Sequence, residues 1–107
     1  MDFKIIWSDA AIGDLQDIWT HITQHDPEAA TRIARGILAH VRVLANFPYI
    51  GPAYPRGSRG TLREIVVRPY SIFYDVSEES QSVEILHVWH GARDEPTTDF
   101  TMTYAGI

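Results

Sequence analysis

The spacing of apolar residues changes repeatedly along this chain, and each change marks a structural element. Phe3, Ile5 and Trp7 alternate with Lys4 and Ile6, the period of a short strand with one buried face. From Ala11 the interval lengthens. Ala11, Leu15, Ile18, Trp19 and Ile22 recur every three or four residues, the stripe of an amphipathic helix. Ser8 or Asp9 stands where a side-chain oxygen can accept from the first free amides of that helix. Asp14 and Asp17 fall off the stripe and are expected in water, and the helix is expected to stop near His25. Asp26-Pro27-Glu28 then opens a second helix. Aspartate caps it, proline occupies the first turn without losing a helical hydrogen bond, and glutamate complements the positive end of the dipole. Its stripe is Ala30, Ile33, Ile37, Val41 and Leu44, widened by Ala34 and Leu38. So short a link predicts an antiparallel helical hairpin, whose apolar faces require a flat apolar partner.

Residues 46–61, NFPYIGPAYPRGSRGT, carry three prolines and three glycines and read as a loop. A connection of that length is functional or mobile in most compact domains. Strand-like runs follow. Leu62 to Arg68 forms one, ended by Pro69, which cannot donate to a ladder. Ile72, Tyr74 and Val76 alternate with Ser71, Phe73 and Asp75 in the next, and Glu78 to Gln81 makes a polar hairpin. Val83, Ile85, His87 and Trp89 alternate with Glu84, Leu86, Val88 and His90 in the last. Unbroken alternation would put His87 on the face of Val83 and Ile85, under the helices or against a neighbouring strand. The order β-α-α-β-β-β predicts an α+β fold, a mostly antiparallel sheet with an αα-hairpin packed on one face. Residues 1–94 are expected to form a single domain, followed by a partly ordered tail at 95–107.

Composition narrows the function. Of the 107 residues 45% are hydrophobic and 21% charged, ordinary for a soluble globular domain. The absence of cysteine excludes disulfides and thiolate chemistry. The N-terminal run lacks a basic leader, and no apolar stretch approaches the roughly 20 residues that span a bilayer. A cytoplasmic location with no membrane partner is therefore expected. The net charge of −5 argues against stable binding of DNA by the chain alone. Yet eight of the nine basic residues are arginine, and Arg56, Arg59, Arg63 and Arg68 face the single acid Glu64 between residues 56 and 74. Guanidinium groups suit planar contacts with phosphate or carboxylate. His21, His25 and His40 are scattered over the helices, so no metal site is expected. No phosphate-cradling glycine loop or nucleophile elbow occurs, and no cofactor is expected. Trp7, Trp19 and Trp89 are read as core.

Several phrases in fixed order carry a resemblance. They are the strand-led helical hairpin, Phe47-Pro48-x-x-Gly51 after the second helix, the run from Leu62-Arg63 through Tyr74, and Val83-Glu84-Ile85-Leu86-x-Val88-x-His90-Gly91-Ala92-Arg93-Asp94. Together, from Phe3 to Asp94, the chain resembles the RelE/ParE family of toxins from type II toxin–antitoxin systems, and especially its ParE-like, plasmid-stabilisation branch. The resemblance implies a growth-inhibiting toxin neutralised by a cognate antitoxin. It also implies one of two activities. ParE-like members bind and poison DNA gyrase without catalysis of their own. RelE-like members cut messenger RNA in the ribosome without a metal.

The ribonuclease alternative needs a base, an acid and cations around the phosphate. On this chain His90 could supply the base or acid, Arg63 and Arg68 the cations, and Tyr74 could orient a reacting group. Arg63 and Arg68, five apart on one expected strand, would face opposite sides of the sheet. The acidic body, the scarcity of lysine and the His-Gly-Ala-Arg-Asp ending favour the gyrase-binding alternative. The surface expected to meet target or antitoxin comprises Arg56, Arg59, Arg63, Arg68, Tyr70, His90 and Arg93.

Overall fold

The computed structural model describes residues 2–53 and 62–91. The candidates Arg56, Arg59 and Arg93 and the tail at 95–107 lie outside the described residues. The elements run β1 (Lys4–Trp7), α1 (Asp9–Thr23), α2 (Pro27–Val43), β2 (Leu62–Val67), β3 (Tyr70–Ser77) and β4 (Ser82–His90). Four strands form one sheet in the order β1-β4-β3-β2, with β1 parallel to β4 and the other neighbours antiparallel. This is the expected α+β architecture.

Local chemistry accounts for the helix starts. The Ser8 hydroxyl accepts from the Ala11 amide at 3.0 Å and donates to the Leu86 carbonyl at 3.1 Å, so one side chain both caps α1 and ties it to β4. Asp26 accepts from the Ala29 amide at 3.1 Å, with Pro27 in the first turn of α2. The two stripes then meet the sheet. Ala11, Ile37, Val41 and Leu44 pack on Tyr70, Ile72, Tyr74, Val83, Ile85 and Val88, all buried. Burying each large aliphatic side chain among them stabilises the fold by about 1.5–3 kcal/mol, before the entropy of ordering is subtracted.

Three local expectations are corrected. First, the β3–β4 register shifts between Phe73 and Tyr74: Phe73 pairs with His87, whereas Tyr74 pairs with Ile85. Leu86 is therefore an extra residue, a β-bulge that breaks the alternation. It moves His87 and Trp89 off the face of Val83 and Ile85. Trp89 instead joins Leu62, Phe73 and Leu86 in a second apolar cluster on the opposite face. Second, Asp14 is not simply solvated. Its carboxylate accepts from the Val88 amide at 3.0 Å and meets the His87 ring at 3.1 Å. Beyond Ile85 β4 has no paired β1 neighbour, and Asp14 satisfies an edge amide there. Third, Trp19 is 42% exposed. It lies about 100° round the helix from Ile18, too far for a core reached by Leu15, Ile18 and Ile22.

Candidate functional site

β2 ends at Val67, so Arg68 and Pro69 form the two-residue turn into β3 rather than the end of a strand. The peptide between them is cis. The start of the loop that precedes β2 lies against the sheet. Pro52 carbonyl accepts from the Glu64 amide at 3.2 Å, and Ala53 bridges Arg63. The candidate residues divide between this loop and the far end of the sheet.

At the loop, Gly51 is buried and held from both sides. Its amide donates to the Tyr74 hydroxyl at 3.0 Å, and its carbonyl accepts from Arg63 Nη1 at 2.7 Å. A Cβ at position 51 would come within 2.6 Å of the Glu64 carbonyl, 2.7 Å of Tyr74 Oη and 2.8 Å of Ile65 Cγ2. Only glycine permits that approach. The Arg63 guanidinium also lies over the Tyr49 ring, 4.9 Å from its centroid, and the Tyr49 hydroxyl donates to the Glu78 carboxylate. Burial raises the Tyr74 pKa above 10.0, opposed by the Gly51 hydrogen bond and by Arg63. The hydrogen bond to Glu78 is the main cause raising that of Tyr49. The sequence offered Arg63 and Tyr74 as a cation and an orienting group. Both hold a loop in place, and the pairing with Gly51 carries no signal in sequence spacing.

At the other end, Tyr70 pairs with His90 across the strands and their rings meet edge-on, with centroids 5.3 Å apart. The Gly91 amide donates to the Pro69 carbonyl at 2.7 Å, knitting the β2–β3 turn to the end of β4. Burial raises the Tyr70 pKa as well. Arg68, exposed, lines a shallow concavity with Val66, Pro69, Ser71 and Gly91. Val66 and Ser71 are cross-strand partners whose neighbours Ile65, Val67 and Ile72 face the helices, so the concavity opens on the opposite side. Tyr70, expected on the surface that meets target or antitoxin, is instead buried in the helix-side core. Arg68 and the Tyr70–His90 pair therefore occupy two sides of one sheet end. Arg63 is five residues from Arg68, about 16 Å along an extended chain, and does not join them. Among the described residues, no three His, Asp or Glu side chains converge as a metal site requires, and no helix is long and apolar enough to cross a membrane.

Comparison with known proteins agrees with this architecture. Toxin RelE2 of Caulobacter vibrioides is 36% identical over 91 residues, which is 84% of this chain and 97% of that protein. Among solved structures, the fold is similar to a chain of the chromosomal ParDE toxin–antitoxin system from P. aeruginosa. The TM-score is 0.69 at 22% identity, over 82% of this chain and 95% of the other. A chain of the toxin–antitoxin complex RelBE2 from Mycobacterium tuberculosis aligns with a TM-score of 0.57 at 21% identity, over 84% of this chain and 99% of its own. The model for "ParE toxin of type II toxin-antitoxin system, parDE" matches residues 5–95. The chain belongs to the ParE family of type II toxin–antitoxin toxins.

Proposed function

We propose that this toxin inhibits growth by binding DNA gyrase, without catalysis of its own, and that a cognate antitoxin neutralises it. The observation that carries the reading is the scatter of the residues a ribonuclease would need. Arg63 and Tyr74 are bound to Gly51, and the His90 ring meets Tyr70 edge-on, whereas Arg68 lines a concavity on the other sheet face. General acid–base chemistry requires its groups within about 3 Å of a shared substrate, and recognition of a protein surface does not. On this reading the exposed Arg68 and His90 meet the partner from two sides of one sheet end, Tyr70 lies buried against the His90 ring, and Arg56, Arg59 and Arg93 are proposed extensions of that surface.

The test is DNA supercoiling by purified gyrase titrated with the purified toxin. Inhibition is expected, weakened about tenfold or more by Arg68→Ala if that side chain is an interface anchor. Unaffected gyrase at saturating toxin, together with ribosome-dependent transcript cleavage that disappears in His90→Ala, would transfer the assignment to the ribonuclease.

A further inference from the structure

From residue 29 to residue 63 the chain contains six arginines and no aspartate or glutamate. All fourteen acids and the three remaining basic residues lie outside that segment. Half of those arginines stand on α2, where Arg32, Arg35 and Arg42 are all exposed. Among the described residues, no hydrogen bond or ion pair engages their side chains. At about 100° and 1.5 Å per residue, they fall within an arc of about 80° and span about 15 Å of the helix axis. The inner stripe of Ala30, Ile37 and Val41 is buried, so this ridge points away from the sheet. Its borders are acidic. Glu28 stands in the first turn of α2, and Asp17 of α1 lines the groove beside Ala34 on one flank. A protein of net charge −5 thus carries one short cationic ridge with carboxylates at its margins.

We infer that the outer ridge of α2 contacts the phosphate backbone of the DNA that gyrase holds. The inference rests on the gyrase reading above and uses a surface separate from Arg68 and His90. The anion follows from the chemistry of the ridge. All three cations are guanidinium groups, whose planar donors suit pairs of phosphate oxygens. Duplex DNA presents one negative charge for about every 1.7 Å of its axis, so each arginine finds a phosphate within reach. The ridge, about 15 Å long, exceeds the roughly 12 Å width of the major groove, and α2 laid across that groove places guanidiniums at both margins. Leu38 and Ala39, exposed between the arginines, have no side-chain group that can hydrogen-bond a base edge. The contact therefore positions the toxin without reading sequence. The acidic body explains why gyrase must present the DNA. Long-range repulsion opposes capture of a free duplex, whereas a toxin already docked through its sheet end meets the phosphates at high effective concentration.

The test is calorimetric titration of purified gyrase with the full-length toxin, with and without a linear DNA duplex bound to the enzyme, over a series of salt concentrations. Wild-type toxin should bind the DNA-loaded enzyme about tenfold or more tightly than the free one. Its slope of log affinity against log salt should be steeper by about 2.7, which is three phosphates at roughly 0.9 each. Arg32→Gln/Arg35→Gln/Arg42→Gln should abolish both differences while keeping its affinity for free gyrase within about twofold, which also shows that the variant is folded. Arg42→Gln alone should remove about one third of the extra slope, and the triple lysine variant should retain most of it because the charges remain. Equal affinity and slope of wild-type toxin for free and DNA-loaded gyrase would overturn the inference and leave the gyrase reading intact. So would a triple glutamine variant that keeps the extra slope, or one that weakens equally on both forms of the enzyme, since the arginines would then face protein. Failure of the wild-type toxin to bind gyrase in either form would remove both readings.

Discussion

Replacing Gly51 by alanine tests whether the loop against β2 is packed as tightly as its geometry implies. The added methyl would sit 2.6 Å from the Glu64 carbonyl, 2.7 Å from Tyr74 Oη and 2.8 Å from Ile65 Cγ2, against an ordinary contact of about 3.5–4 Å. None of these neighbours yields easily. Glu64 is backbone within a paired strand, and Tyr74 is fully buried. Overpacking of this kind costs about 1–3 kcal/mol. If the loop lifts away instead, it forfeits the Tyr74 and Arg63 hydrogen bonds, each worth about 1 kcal/mol net. A loss of about 2–4 kcal/mol is expected, a lowering of the melting midpoint by at least about 10 °C in a domain of this size. Urea unfolding followed by tryptophan fluorescence measures it, with the midpoint moving and the slope unchanged. Tyr74→Phe should make the alanine less harmful, because the close hydroxyl and the hydrogen bond it makes are then already gone. A double-mutant cycle should show coupling of about 1 kcal/mol. A loss below about 0.5 kcal/mol in Gly51→Ala, or strict additivity with Tyr74→Phe, would refute the claim that glycine is required there.

Asp14→Ala should cost about 1–3 kcal/mol, since it leaves the Val88 amide without its acceptor. Hydrogen exchange at Val88 should accelerate more than at Ile72, and Asp14→Asn should recover part of the loss by retaining an acceptor oxygen. Alkaline pH should destabilise the fold through Tyr70 and Tyr74. Burial raises both above the unfolded value of 10.0, so the native state holds protons that the unfolded chain releases. Their contribution is complete below about pH 9 and is lost as pH rises past 10 through the folded pKa values. The unfolding free energy should decline over that range, less steeply in Tyr74→Phe, and tyrosinate absorbance should report whether these two rings ionise only on unfolding.

The fold was legible because its main determinants are local. Serine and aspartate caps, a proline at the start of α2 and stripes at helical spacing specify the hairpin without knowledge of what it packs on. Strand alternation and the polar turn at residues 78–81 specify the sheet. What escaped depends on tertiary partners. Inserting Leu86 opposite the Phe73–Tyr74 step reverses every later side chain of β4, and a bulge leaves no mark in a run of uniformly strand-like residues. Asp14 could have been suspected, because it stands three residues after Ala11 and four before Ile18, beside the buried stripe rather than opposite it. An acid there needs a donor, and the open edge of β4 provides one. Arg63 was misleading for a different reason. Its residue type suggests a cation for a phosphate, but the acceptor it meets is the Gly51 carbonyl, in a loop brought alongside β2 by Pro52 and Ala53.

Exposed apolar residues join the helical hairpin to the sheet edge beside Arg68. A groove bounded by His40, Val43, Ile50, Pro52 and Val66 runs from the last turn of α2 to the edge of β2. Val66 is shared with the concavity of Arg68. Val43, Ile50 and Val66 are 42%, 60% and 56% exposed, an apolar lining that water solvates poorly. The tight seat of Gly51 then acquires a second role: the hydrogen bonds from its amide to Tyr74 and from Arg63 to its carbonyl fix the loop, and with it the neighbouring Ile50 that forms one wall of the groove.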